Sequence, residues 1–139
     1  MKNKRIRLVL TLILLLFVIG LLVGLSQWYK PHRSAASEKG ISINPDSLVA
    51  FYSADEKAGD AKYLNKPLQV KGIIAKVDTN ASGQTTVLFN SADPMSSVFC
   101  TMQEKGIKLE AGKETEVKGF CSGHTTDVLL TDCVIVKKD

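Results

Sequence analysis

The chain has 139 residues, of which 45% are hydrophobic and 23% are charged, and its formal net charge at pH 7 is +4. Five of the eighteen Lys and Arg residues precede Pro31 and all fourteen acidic residues follow it, so the part after Lys30 has a net charge of −1. The basic character therefore belongs to the N-terminal end, and the remainder lacks the clustered positive field that a polyanion-binding surface requires.

The N-terminal end has the features of a membrane anchor. Residues 8–25 contain no charged side chain and no proline, and a basic cluster precedes them: Lys2, Lys4, Arg5 and Arg7. These eighteen residues would form a helix about 27 Å long, which is close to the hydrocarbon thickness of a bilayer. We therefore predict a basic cytoplasmic arm over residues 1–7 and a single transmembrane anchor over residues 8–29, with Trp28 and Tyr29 at the far interface. This topology predicts a protein of the bacterial inner membrane whose domain lies in the periplasm.

The alternative for this segment is a cleaved signal peptide, which has a shorter apolar region and ends in small residues. The nearest small-residue stretch, residues 34–37, lies nine or more positions beyond Leu25, which favours an uncleaved anchor. Lipid attachment would need a cysteine just after the apolar run, whereas the first cysteine is Cys100. The anchored and the cleaved alternatives both export the same domain.

The residues after the anchor predict a linker and then two short helices. Residues 30–44 are small and polar with no sustained period, which is typical of a linker. The sequence Asn-Pro-Asp-Ser at 44–47 predicts the start of a helix, and the apolar residues of 48–52 form its buried stripe. A second short helix is predicted over residues 55–64.

After Pro67 the hydrophobic period changes to two, which predicts strands. The five predicted strands cover residues 68–77, 85–90, 98–102, 114–121 and 128–136. Residues 103–113 leave room for only about one helical turn, because Gly106 and Gly112 interrupt them. This pattern predicts a mainly β domain over residues 45–139: a five-stranded OB-fold barrel preceded by a short N-terminal helix and carried on the transmembrane helix.

Alternation within the strands also predicts which aromatic side chains are exposed. In the third strand Phe99 lies on the face opposite Val98 and Cys100, and in the fourth strand Phe120 shares a face with Lys118. A face that carries a lysine is expected to meet solvent. Phe99 and Phe120 are therefore predicted to be exposed.

The end of the chain carries a recognisable motif, V-x-G-x-C-x-G followed by D-V-x-L-x-x-C-x-I. The motif is matched by Val117, Gly119, Cys121, Gly123, Asp127, Val128, Leu130, Cys133 and Ile135. With it, the chain resembles the tRNA_anti-like family of exported bacterial OB-fold proteins. Residues 61–66 and 70–72 are similar to an earlier part of the family pattern, and Cys100 falls where a third cysteine usually lies. The resemblance covers about residues 48–136 and implies the OB fold. Many members of the family are lipoproteins, whereas this chain has a helical anchor.

Three cysteines in an oxidising compartment predict one disulfide and one remaining thiol. Closure of an OB barrel places the third and fifth strands side by side in parallel, which makes Cys100 with Cys133 the preferred pair; Cys100 with Cys121 is the alternative. The cysteine spacing does not suit a zinc site, because close pairs are absent and His124 alone adds too few ligands. No metal and no other cofactor is predicted.

His124 lies in the last predicted hairpin loop, residues 122–127, where OB folds often contact ligands. No nucleophile can be paired with it from the spacing, and Asp127 is expected to close the turn, so no catalytic residue is predicted. The plan of one span and an exported barrel is also similar to the periplasmic haem chaperones. Residues 136–139 lack the histidine of their H-x-x-x-Y motif, which argues against that function.

We therefore predict a non-catalytic, membrane-anchored binding module for a partner protein or an oligosaccharide. The predicted contact surface is the outer face of the second and third strands with the loops at 78–83 and 122–127. The residues predicted to contact the ligand are Phe99, Phe120 and His124. Nucleic-acid binding is the main alternative and follows from fold analogy alone. A thiol-redox function is a further alternative.

Overall fold

The structure is a computed structural model that describes residues 2–29 and 33–136, and the chain divides into two compact units, Met1–Arg33 and Ser34–Asp139. Predictions that involve Met1, residues 30–32 and residues 137–139 lie outside the described residues. The first unit is helix α1, Lys2–Trp28, which contains an 18-residue window with a mean hydropathy of 3.2. Its 27 residues correspond to a length of about 40 Å. Among the described residues it is the one helix long and apolar enough to cross a membrane.

The described part of the second unit, residues 34–136, contains two helices and six strands. In chain order they are β1 (Ile41–Ile43), α2 (Pro45–Ala54), α3 (Glu56–Tyr63), β2 (Pro67–Thr79), β3 (Gln84–Phe89), β4 (Val98–Lys105), β5 (Glu114–His124) and β6 (Val128–Ile135). Both predicted helices and all five predicted strands are present, and each strand boundary lies within three residues of its predicted position. The mainly β architecture predicted from the alternation is confirmed.

Local side-chain contacts explain where the two helices begin. The side chain of Asn44 accepts a hydrogen bond from the backbone N–H of Ser47 at 2.7 Å, and Pro45 occupies the first helical turn of α2. The side chain of Asp55 accepts from the N–H of Ala58 at 3.2 Å and begins α3. Each cap satisfies a backbone donor that has no partner inside its own helix.

Strands β2 to β6 form a closed barrel in the order β2-β3-β4-β6-β5, with β5 pairing back to β2. The β4–β6 pair is parallel and the other pairs within the barrel are antiparallel. Strand β2 is long enough to pair with β5 over Pro67–Ile73 and with β3 beyond Ile74. This is the five-stranded barrel that the sequence predicts, and the order of its strands is that of an OB fold.

One local prediction is wrong, and one segment contains less helix than its length would allow. No helical turn forms within residues 103–113, because β4 continues to Lys105 and is followed by a loop in which Gly106 and Gly112 have φ angles of +69° and +85°. Phe120 is buried rather than exposed. The register of β5 with β2 is unbroken from Lys118 to Phe120, so the two residues share a face as predicted. That face is not open to solvent, because the segment before β1 lies over it and the carbonyl oxygens of Ala36 and Glu38 accept hydrogen bonds from Lys118.

Part of the predicted linker is folded onto the barrel. Ala35 is fully buried, and β1 pairs in parallel with β2 from Ile41 opposite Leu68 onward. The Nζ atom of Lys118 donates to the carbonyl oxygen of Glu38 at 2.8 Å. A three-residue strand is too short to show a hydrophobic period, which explains why the sequence did not reveal β1.

The core lies inside the barrel and beneath the two helices. Its largest fully buried side chains are Tyr52, Phe89, Leu48, Leu68, Ile74, Met102 and Leu130. Gly72 allows α2 to approach β2, because a Cβ at this position would lie 2.6 Å from Cγ of Pro45. The helices therefore pack tightly on one part of the barrel. The outer faces of β3 and β4 are left available for a ligand.

Candidate functional site

The outer face of β2, β3 and β4 carries a short row of side chains that includes two apolar residues. Lys76 on β2 lies opposite Leu88 on β3, and Leu88 lies opposite Phe99 on β4. Leu88 and Phe99 are both partly exposed. In the adjacent row, Asp78 lies opposite Thr86. The row of Lys76, Leu88 and Phe99 therefore presents apolar surface between polar neighbours.

These residues line a groove with a volume of about 400 Å³. Its walls are Lys76, Asp78, Thr79, Asn80, Thr86, Leu88, Phe99 and Asp127. The volume lies within the usual range of small-ligand sites, roughly 300–1,000 Å³. The groove combines the outer face of β3 and β4 with residues of the two loops that the sequence predicts as contact regions.

One side of the groove is formed by a charged pair on β2. The Nζ atom of Lys76 lies 3.1 Å from Oδ2 of Asp78, and both side chains are more than 60% exposed. The pKa of Asp78 is lowered mainly by a hydrogen bond from the backbone N–H of Thr79, and Lys76 lowers it further. Asp78 therefore stays ionised and offsets the charge of the lysine. With Asp127 included, the groove contains one cation and two carboxylates.

The two loops at the groove are held by their own hydrogen bonds. The Oδ1 atom of Asn80 accepts from the backbone N–H groups of Ser82 and Gln84, both at 3.0 Å. The Oδ1 atom of Asp127 accepts from the N–H of Ser97 at 2.8 Å. These contacts fix the backbone around the groove before any ligand arrives, which lowers the entropy cost of binding.

The three residues predicted to contact a ligand occupy different places in the structure. Phe99 lies in the groove. Phe120 is buried, and neither it nor His124 lines the groove. His124 is the last residue of β5 rather than a loop residue. Apart from Phe99, the individual groove residues were missed from the sequence, although alternation in β2 and β3 places Lys76 and Leu88 on the predicted outer face.

His124 belongs to a buried polar cluster under helices α2 and α3. Its ring stacks on Tyr52 with a centroid distance of 5.4 Å and an interplanar angle of 20°. The hydroxyl of Tyr52 lies 3.3 Å from Sγ of Cys121. Within the described part of the chain, both ring nitrogens of His124 and Oδ1 of Asp60 are buried without a hydrogen-bond partner. Burial, followed by the contact with Cys121, raises the pKa of Tyr52 far above its usual value, so this hydroxyl keeps its proton.

All three cysteines are buried thiols in this structure. Cys100 and Cys133 lie on the neighbouring parallel strands β4 and β6, as expected for the preferred pair. Burial raises the pKa of Cys100, and the neighbouring thiol of Cys133 raises it further. Among residues 2–29 and 33–136, no group of three or more His, Cys, Asp or Glu side chains is placed to hold a metal ion.

Comparison with known proteins relates this fold to one family and to solved structures. The family model named tRNA_anti-like matches residues 1–134. The match confirms the resemblance drawn from the motif around Gly119 and Cys121. Comparison with curated proteins found no match. A crystal structure from Klebsiella pneumoniae, of a protein provisionally described as a nucleic acid-binding lipoprotein, is similar with a TM-score of 0.55. The identity is 13%, and the similarity covers 69% of this chain and 92% of that chain, so it supports the fold alone.

Proposed function

The chain belongs to the tRNA_anti-like family, and from that premise we propose that it is a non-catalytic binding module that binds an uncharged oligosaccharide in the groove beside Phe99. The module is anchored by residues 8–29 in the bacterial inner membrane and acts on the periplasmic side. The fold and the family support a binding role. The finer assignments rest on the charge and the shape of the groove.

The anchor is supported by the length and composition of α1. Its apolar stretch follows four cations and contains no charge until Lys30, which under the positive-inside rule supports an N terminus in the cytoplasm. The barrel then lies outside the cytoplasm. Protease added to intact spheroplasts is expected to digest the barrel. Protection of the barrel until the cells are lysed would show that it faces inward and would overturn this assignment.

The observation that carries the ligand assignment is the combination of an apolar platform with balanced polar groups. Phe99 and Leu88 offer a surface against which the apolar face of a sugar ring can stack. Hydroxyl, amide and carboxylate groups surround this surface. The hydroxyl and amide groups can donate hydrogen bonds to sugar hydroxyls, and all three kinds of group can accept hydrogen bonds from them. One cation beside two carboxylates gives no preference for an anionic ligand. OB folds use this region of the barrel for oligosaccharides as well as oligonucleotides.

Nucleic-acid binding is the second candidate function. The description of the Klebsiella pneumoniae protein favours it, and an exposed aromatic such as Phe99 can also stack on a base. The charges of the groove favour the sugar, because Lys76 is already paired with Asp78 and no second cation is found among the described residues that line the groove. A partner protein is the third candidate, and it would use the same exposed residues.

Binding of the full-length protein in detergent micelles distinguishes these candidates. We expect short uncharged oligosaccharides to bind, and we expect Phe99→Ala to weaken the binding at least tenfold, because the stacking surface is lost. Phe99→Leu, which keeps an apolar side chain without a ring, is expected to give an intermediate loss. Met95→Ala is the matched control, because Met95 is an exposed apolar residue outside the groove.

The same protein is tested against single-stranded DNA and RNA at several salt concentrations. Salt-dependent binding of these oligonucleotides that is lost in Phe99→Ala, with no binding of sugars, would overturn the oligosaccharide assignment and support the second candidate. If neither ligand binds, crosslinking of the protein in its own membrane with a photoreactive group near Phe99 tests the third. Capture of one defined protein in that experiment would support a partner protein.

A further inference from the structure

Two of the three cysteines lie on adjacent strands, and their thiols interact in the core. Cys100 on β4 and Cys133 on β6 are both 0% exposed and point into the barrel. The parallel register pairs Cys100 with Leu130 and Met102 with Cys133, and an irregularity lies between these two pairs. Cys133 is therefore a diagonal neighbour of Cys100 on the adjacent strand and faces the same interior. Diagonal neighbours have Cα atoms about 7–8 Å apart, so a bond between the two thiols requires a small movement of the backbone.

The register excludes the alternative pair, Cys100 with Cys121. Leu130 on β6 pairs with Cys100 on one side and with Cys121 on the other, so a whole strand separates these two cysteines. Two strand spacings amount to about 10 Å between Cα atoms, well beyond the separation of about 7 Å up to which a disulfide forms without backbone movement. Cys121 is also occupied elsewhere, since its Sγ lies 3.3 Å from the hydroxyl of Tyr52.

Gly119 on β5 leaves space for the side chain of Cys133. A Cβ at this position would collide with Sγ of Cys133. Because Gly119 has no Cβ, the thiol of Cys133 can occupy this space beside β5. The position of the Cys133 thiol in the core therefore depends on glycine at residue 119.

We propose that Cys100 and Cys133 form a disulfide in the mature protein and that Cys121 remains a thiol. In the cell this inference rests on the proposed export of the domain, because disulfides persist in oxidising compartments. The bond would join β4 to β6, which is the parallel pair of the barrel.

The oxidant is the disulfide form of a thiol–disulfide oxidoreductase of that compartment. The thiolate of one cysteine attacks the disulfide of the oxidoreductase, which breaks that bond and forms a mixed disulfide. The thiolate of the second cysteine then attacks its partner's sulfur in the mixed disulfide. The bond between Cys100 and Cys133 forms, the oxidoreductase leaves as a dithiol that carries the two electrons, and the two cysteine protons pass to its sulfurs through solvent.

The burial of Cys100 and Cys133 determines when during folding this reaction can occur. Both thiols are inaccessible once the barrel closes, and burial raises the pKa of Cys100 and so lowers its thiolate fraction. Oxidation is therefore expected while the strands are still open to solvent. The folded reduced protein is expected to react slowly with alkylating reagents, and the unfolded reduced protein to react rapidly.

Refolding tests the pairing without regard to the compartment. The full-length protein is reduced, unfolded and refolded in detergent with a mixture of reduced and oxidised glutathione, and its peptides are mapped by mass spectrometry. We expect a linked peptide that contains Cys100 and Cys133. Cys121→Ser is the matched control and keeps this link, whereas Cys100→Ser and Cys133→Ser lose it. A link through Cys121, or three free thiols in the refolded wild-type protein, would overturn the proposal, and neither result depends on how well the variants fold.

A second experiment tests the bond in the cell. Membranes are quenched in acid and alkylated in denaturant before and after reduction. We expect alkylation of Cys121 alone before reduction and of all three cysteines after it. If the bond forms on refolding while all three thiols are free in the cell, the pairing is supported and the proposed export is overturned.

Discussion

The helix-covered end of the barrel and the outer face of β3 and β4 use similar residues for different purposes. Under α2 and α3, Tyr52 is 1% exposed and contacts both Cys121 and His124. On the outer face, Phe99 is partly exposed and lines a groove with Leu88. An aromatic side chain therefore stabilises the fold in one place and is available to a ligand in the other. The element that packs over the strand decides which role it takes.

The largest effect on stability is expected from Tyr52→Ala. It removes a fully buried aromatic side chain beneath the helices, and such truncations cost about 4 kcal/mol of unfolding free energy. Denaturant unfolding of the full-length protein in detergent measures the loss. Phe99→Ala is the matched control on the other face, and its cost is expected to stay below about 1 kcal/mol because Phe99 is only partly buried. Equal losses in the two variants would remove the distinction between the two regions.

The second largest effect on the unfolding free energy is expected from reduction of the proposed disulfide between β4 and β6. If Cys100 and Cys133 are bonded, reduction of the folded protein is expected to lower the unfolding free energy by about 3 kcal/mol, because the unfolded chain regains the freedom of the loop between them. The midpoint of denaturation with and without reductant measures this difference. Cys133→Ser is expected to show no reductant dependence. A wild-type midpoint that does not respond to reductant would contradict the prediction.

A smaller effect is expected from Gly59→Ala in α3. Helix propensity alone would make alanine more stable by about 1 kcal/mol. A Cβ at this position would, however, lie 2.6 Å from the ring of Tyr52, so α3 would have to move away from α2. We expect a net loss of about 2 kcal/mol. Ala58→Gly, at an exposed position of the same helix, calibrates the propensity term. Stabilisation by Gly59→Ala would show that the two helices pack more loosely than described.

Tyr52→Phe distinguishes the contribution of the Tyr52 hydroxyl to the unfolding free energy from that of its ring. The ring and its stacking on His124 remain, and only the contact between the hydroxyl and Cys121 is lost. We expect a loss of about 1 kcal/mol, which is typical of one buried hydrogen bond. The same denaturation experiment measures it. A loss as large as that of Tyr52→Ala would mean that the polar contact, rather than ring packing, holds the helices on the barrel.

The smallest effect is expected on the groove side, from Asp78→Asn. The folded-state pKa of Asp78 is lowered below its value in the unfolded chain, first by the N–H of Thr79 and then by Lys76. Its contribution to stability is therefore fully present above the unfolded-state pKa and is lost as the pH falls through the lower folded-state pKa. The wild type is expected to lose slightly more stability on acidification than Asp78→Asn, in an acid titration of the denaturation midpoint. An identical acid response would contradict this.

The sequence predicted the architecture better than it predicted the exposure of individual side chains. The strands follow from the period of two, and the caps at Asn44 and Asp55 mark helix starts through purely local chemistry. Phe120 is buried on a face that the segment before β1 partly covers, and the ring of His124 lies against Tyr52 of α2. Such effects come from residues distant in the sequence, and no local pattern records them. The region of the groove and its residue Phe99 could be predicted from the sequence, but the approach of Asp127 to Lys76 could not, because it depends on closure of the barrel.

The clamp between Lys118 and the carbonyl oxygens of Ala36 and Glu38 has a mechanical consequence. A force applied from the N-terminal side of this unit would first act on the contacts of buried Ala35 and on the clamp. It would then act on the three residue pairs between β1 and β2. These contacts can break while the five strands of the closed ring remain paired. Under a pulling force, the segment that ends with β1 can therefore detach first, while the barrel and the groove keep their shape.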